Sequence, residues 1–122
     1  MRLSVTVFVM ATALSTPSFA DCHIEAFRFF FGSDTSTSGT VSSGSNCTIR
    51  PGAGRNAGFS SIAVTTPAKH GSATTNGSIF SPEVYYKPKA GYKGSDDFVF
   101  TITGGGARLQ GPSNIHVTMD VQ

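Results

Sequence analysis

The sequence predicts an all-β domain: an antiparallel β-sandwich of about seven strands pinned by one disulfide. Three observations lead there. Apolar and polar residues alternate over short runs, the pattern of half-buried strands, and no helical period survives beyond the N-terminal stretch. Gly, Pro, Asn and Ser clusters separate those runs. The only two thiols, Cys22 and Cys47, make an even set that pairs as a staple in an oxidising compartment.

Taken in order, residues 24–31 are apolar and aromatic, with Phe27, Phe29 and Phe31 on one parity and Arg28 and Phe30 on the other, and are expected as a strand. Residues 33–45 hold nine Ser/Thr and two Gly, and are expected as a loop or a polar hairpin around Gly39. A short strand at 47–50 follows, then the turn-rich stretch 51–58, then a strand at 59–66. Residues 72–75 form another short strand before the Asn76-Gly77 turn signal. A strand at 83–87 stops at Pro88. The strand at 97–103 sets Phe98, Phe100 and Ile102 on one face and is broken by Gly104-Gly105-Gly106. The last, 115–121, points Ile115, Val117, Met119 and Val121 one way and His116, Thr118 and Asp120 the other.

The N-terminus explains the cellular address expected for the chain. Arg2, an apolar run from Leu3 to Leu14, and Ser18-Phe19-Ala20 form a signal peptide over residues 1–20, leaving residues 21–122 as one secreted or periplasmic domain. The run is too short to span a bilayer, so no membrane insertion is expected after cleavage. Asp21 stands where a lipoprotein needs a small residue before Cys22. Closing the Cys22–Cys47 loop is worth roughly 3 kcal/mol in the chain-entropy model. The whole chain has 9 Lys+Arg against 7 Asp+Glu, and losing Arg2 leaves 8 against 7, a balance of +1. Such neutrality excludes a nucleic-acid partner, which demands many cations on one face.

The second half carries a family likeness. Pro67-Ala68-Lys69-His70-Gly71-Ser72, Val84-Tyr85-Tyr86-Lys87-Pro88 and the run from Ala90 to Ile102, with Gly91, Tyr92, Gly94, Asp96, Phe98 and Phe100 as its core, resemble a bacterial Ig-like, cadherin-like repeat over roughly residues 62–121. The resemblance implies an Ig-like sandwich of the kind used in bacterial surface and secreted proteins, often in tandem adhesin arrays. This chain holds one copy and adds its own cysteine-bearing segment. Independently of the likeness, Gly91 and Gly94 bracket a tight loop, and Tyr92 is placed to bury its ring and bond a backbone group. Asp96 shares the parity of Phe98 and is expected to accept N–H bonds from the 91–94 loop.

Candidate chemistry is thin. Asp96 and Asp97 are neighbours on a strand and point to opposite faces, so they cannot flank one substrate as a glycosidase pair does; calcium between tandem domains would need a second domain. His23, His70 and His116 follow no ligand spacing, and a copper pair of His116 with Met119 fails on parity, so neither a metal nor a cofactor is expected. Gly52-Ala53-Gly54-Arg55-Asn56-Ala57 mimics a dinucleotide fingerprint but precedes a β-rich run instead of a helix, and is expected as a turn. No G-x-S-x-G or H-E-x-x-H is present, and no catalytic residue is assigned. Asn46 and Asn76 match the glycan-acceptor pattern, incidentally in a bacterial chain.

Lys87, Lys89 and Lys93 cluster around Pro88, with Lys69 near them if the strands pair as expected. They form either a solvated rim that protects a sheet edge or a binding rim for an anionic glycan or acidic partner. The function expected is therefore non-enzymatic: binding of an unknown protein or cell-surface polymer, or a structural role in the envelope. A small secreted enzyme or inhibitor with a loop-built site, or a metal-binding envelope protein, is the alternative.

Overall fold

The computed structural model describes residues 22–52, 58–105 and 110–122. The expected leader, the 53–57 part of the fingerprint-like turn and Gly106 lie outside the described residues. Among the described residues eight strands are formed: β1 Cys22–Ile24, β2 Thr35–Val41, β3 Cys47–Ile49, β4 Gly58–Thr66, β5 Gly71–Thr75, β6 Val84–Pro88, β7 Gly94–Gly105 and β8 Gln110–Val121. They make a five-stranded sheet, β1-β2-β8-β7-β4, and a three-stranded sheet, β3-β6-β5.

The period-2 pattern of the sequence dictates what lies between the sheets. Phe98, Phe100 and Ile102 on β7 and Ile115, Val117, Met119 and Val121 on β8 are buried, as are Ile49, Val84 and Tyr86 of the smaller sheet. Tyr86 stacks on Phe98 from the opposite sheet, ring centroids 5.5 Å apart at 8°. The Cys22–Cys47 disulfide forms, with Cα atoms 5.4 Å apart, and ties β1 of the larger sheet to β3 of the smaller. It thus adds a covalent tie between the two packed layers.

The first half departs from the sequence expectation. The Ser/Thr-rich stretch is neither loop nor hairpin: β2 lies inside the larger sheet, antiparallel to β1 and parallel to β8. The sandwich therefore has a parallel pair among its antiparallel ones, and its eight strands among the described residues agree with the expected number of about seven. Thr37, Gly39 and Val41 face inward while Ser36, Ser38 and Thr40 face out. Gly39 is required by proximity, since a Cβ there would lie 2.5 Å from the Ile24 side chain and 2.6 Å from the His23 carbonyl.

Residues 25–34, conversely, hold no strand beyond the end of β1. The expected parity of burial persists, with Phe29 and Phe31 buried and Phe30 exposed. The backbone is served by side chains in place of a ladder: Ser113 Oγ donates to the Phe30 carbonyl at 2.8 Å and accepts from Gly32 N–H at 3.1 Å. Thr37 Oγ1 donates to the Glu25 carbonyl. Phe29, Phe31 and Phe59 then close that end of the core as an aromatic cluster. The glycines after Thr103 do not end β7, which runs on to Gly105 opposite Gln110. At the other edge of the sheet, β4 carries no charged residue but two register irregularities, which blunt it as a template for further strands.

Candidate functional site

The family-like motif builds one end of the sandwich, from the 67–70 connection between β4 and β5 and the 89–93 connection between β6 and β7. Its anchor is Asp96, which is 3% exposed. The carboxylate accepts the Lys69 N–H at 2.9 Å, shares the His70 N–H between its oxygens at 3.2 and 3.1 Å, and accepts the Asp97 N–H at 2.9 Å. The Tyr86 hydroxyl donates to Oδ2 at 2.7 Å across the interlayer space. Asp96 is thus an acceptor, but its donors differ from those expected: they come from the β4–β5 connection, β7 itself and the opposite sheet, not from the 91–94 loop. The reason is register, because β7 begins at Gly94 and has already carried Asp96 inward beneath residues 69–70. Burial raises the Tyr86 phenol above its ordinary value, and the bond to Asp96 and the charge of its carboxylate add to that shift.

Two glycines shape the second connection: Gly91 and Gly94 have φ of +81° and +131°, values L side chains rarely adopt. Between them Tyr92 turns back so that its hydroxyl donates to the Ser95 carbonyl, and its backbone N–H bonds the Lys89 carbonyl at 3.0 Å. The Lys89 N–H donates to the His70 carbonyl at 2.8 Å, joining the two connections. The His70 ring lies flat on Tyr92, centroids 4.3 Å apart and 4° from parallel.

The outcome is a cationic tip. Lys69, Lys87, Lys89 and Lys93 are all exposed there with His70. Lys69 Nζ pairs with Asp97 at 3.4 Å, both side chains more than half exposed, a contact of little energetic weight. Lys87 stands one step away on β6, opposite Ser72. Sequence reasoning marked the lysines but missed the His70–Tyr92 stack. Its signal was the shared position of two aromatic rings in connections that the pairing of β5 with β6 brings together.

The other singled-out residues go elsewhere. Asp97 faces outward, away from Asp96. His23 pairs with Glu25 at 3.3 Å, and His116 is exposed in the middle of β8. Among the described residues no three His, Cys, Asp or Glu side chains converge on a point where a metal could sit. A shallow depression of about 250 Å³ lies on the outer face of the larger sheet, walled by His23, Glu25, Ser38, Thr40, Thr118 and Asp120.

At the opposite end, the long β5–β6 connection is fixed by Asn76. Its Oδ1 accepts the Ser78 and Glu83 N–H groups, and its Nδ2 donates to the Ser81 carbonyl. Phe80 at the tip of that connection is 91% exposed. Asn76 is thereby committed to its own loop, and the Asn-Gly signal marks a built turn of eight residues, 76–83, in place of a tight hairpin.

No family model, curated protein or solved structure matches the chain. Among the described residues no helix is long and apolar enough to cross a membrane.

Proposed function

We propose that this protein is an extracytoplasmic Ig-like module that works by binding, not catalysis, and that the lysine-bearing tip is the surface that meets an acidic partner or an anionic polymer of the cell surface. The observation that carries the reading is the division of charge at the tip. Its buried carboxylate is closed off by the backbone N–H groups of Lys69, His70 and Asp97 and by the Tyr86 hydroxyl, while Lys87, Lys89 and Lys93 stand exposed and Lys69 meets the exposed Asp97 at 3.4 Å. The buried carboxylate is spent on the fold and leaves one exposed carboxylate among four lysines. Cations gathered at one end of a nearly neutral molecule orient an incoming polyanion and speed its capture.

Export is part of the same proposal. The disulfide supports it, because such bonds persist in oxidising compartments. Expression of the whole chain in a bacterial host should give a product in the periplasm or medium lacking residues 1–20 and two hydrogens lighter than the dithiol, read by intact mass. To test the surface, a photo-crosslinking side chain is placed at position 89 or at position 80, and the living envelope is irradiated. Adducts are expected from position 89 and not from position 80. Adducts from position 80 alone would sink the proposal.

A further inference from the structure

We propose that the ligand of the tip is an anionic polysaccharide, recognised through a sugar ring laid on His70, and not an acidic polypeptide. This rests on the reading of the tip as the binding surface and names the class of its ligand.

Tyr92 is held by its hydroxyl on Ser95 and by its N–H on Lys89, and is only partly exposed. His70 covers one of its faces at 4.3 Å, nearly parallel. The His70 backbone is held, with its N–H on Asp96 and its carbonyl on the Lys89 N–H, and the ring rests on Tyr92. A ring that packs one face on a tyrosine while the residue remains exposed offers its other face to solvent. That is a flat platform seated on an ordered backbone, which lowers the cost of ordering it on binding.

Around the platform, Lys69 precedes His70 in the chain, Lys89 is bonded to it through the backbone, and Lys93 follows Tyr92. A pyranose presents a face of C–H groups that packs on an aromatic ring, and a carboxylate or sulfate at its edge. A flat ring in connections that carry exposed lysines suits both features at once. An acidic peptide could use the lysines, but its backbone and flexible carboxylate side chains have no flat apolar face to match the ring. Among the described residues the large exposed apolar side chains are Phe30, Ile79, Phe80 and Tyr85, and none of them belongs to the 67–70 or 89–93 connection, so the tip offers no large apolar anchor point for a peptide.

The test measures binding of the soluble protein to four immobilised polymers: polygalacturonate, dextran sulfate, poly-L-glutamate and neutral dextran. Both anionic polysaccharides are expected to bind, poly-L-glutamate at matched charge about five-fold or more weakly, and dextran alone not measurably. His70→Ala is expected to weaken polysaccharide binding about five-fold while leaving poly-L-glutamate unchanged, the size of effect that aromatic packing gives. His70→Trp, which restores a flat ring without the imidazole, should recover it. Lys89→Gln with Lys93→Gln should weaken every polyanion. Equal binding of poly-L-glutamate, or no effect of His70→Ala, overturns the polysaccharide assignment and leaves the cationic tip standing. Indifference of all polymers to the lysine substitutions overturns the tip itself.

Discussion

Replacing Asp96 by asparagine keeps the shape of the side chain and removes its charge. The carboxylate is 3% exposed and serves three backbone N–H groups and the Tyr86 hydroxyl. Hydrogen bonds to a charged group contribute about 1.5–3 kcal/mol, against about 1 for neutral ones. Asparagine can satisfy the donors on one oxygen, and Tyr86 can turn to accept from the new amide. The His70 N–H, shared between both oxygens, then faces an NH2 group. A loss of about 2 kcal/mol follows, roughly an 8–16 °C fall in melting temperature for a domain of this size. Asp96→Ala leaves the Lys69 and His70 amides and a buried phenol without partners, which costs about 4 kcal/mol, close to the lower bound of domain stability. Calorimetry gives the melting temperatures. Hydrogen exchange gives the specific readout: the His70 amide should lose protection in both variants and the Lys69 amide in Asp96→Ala, while those at the centre of β7 and β8 change only with global stability. A melting temperature within about 2 °C of the parent for Asp96→Asn, with the His70 amide still protected, would refute the assignment.

Three further outcomes are expected. Cys22→Ser with Cys47→Ser should lower stability by about 3.5 kcal/mol, the loop-closure value for the sequence separation of 25, read from a denaturant titration whose m-value rises because the uncrosslinked unfolded chain exposes more surface. Gly39→Ala should cost about 1–3 kcal/mol, because its Cβ would be driven into Ile24 and the His23 carbonyl, and faster exchange should appear first in β1. The raised phenol of Tyr86 makes the protein sensitive to base. Above about pH 10 the unfolded chain releases a proton that the folded one keeps, so stability falls by about 1.4 kcal/mol per pH unit, whereas below that pH both states hold the proton and nothing is lost. Tyr86→Phe should flatten that limb of a denaturation-against-pH curve.

The second half of the fold was legible because its inward residues are strongly apolar. Phe98, Phe100, Ile102, Ile115, Val117 and Met119 announce their faces by alternation alone, and all six are buried. The first half was not, for two opposite reasons. β2 alternates Thr, Thr, Gly and Val inward against Ser, Ser and Thr outward, so hydropathy scarcely changes from one face to the other. Its place is set by its neighbours: β8 supplies the ladder, and Gly39 lets β1 approach. Residues 24–31 looked like a strand because three phenylalanines share a parity, yet parity records only which side chains go inward. Ser113, far away in sequence, takes the backbone bonds that a partner strand would have taken. At the tip, Lys87, Lys89 and Lys93 could be read directly, since charge near a proline turn is local information. The donors of Asp96 could not, because they depend on where residues 69 and 70 cross above β7, which no local pattern encodes.

The parallel pairing of β2 with β8 decides how the molecule can be held. It brings Val41 beside Val121, while β1 returns Cys22 to that same Val41, and Gln122 donates its N–H to the Val41 carbonyl. Residues 22 and 122 therefore emerge together, at the end where β7 starts and where the lysines stand. A linker, tag or solid support joined at either of these residues would press the proposed binding surface against its own anchor and display Phe80 to the bulk. Binding should be strongest with the protein free and the polymer immobilised, or with the protein held through the exposed side chain of Ser81. The same geometry lets two copies joined in tandem set their tips face to face across a short linker, enclosing a polymer strand between them.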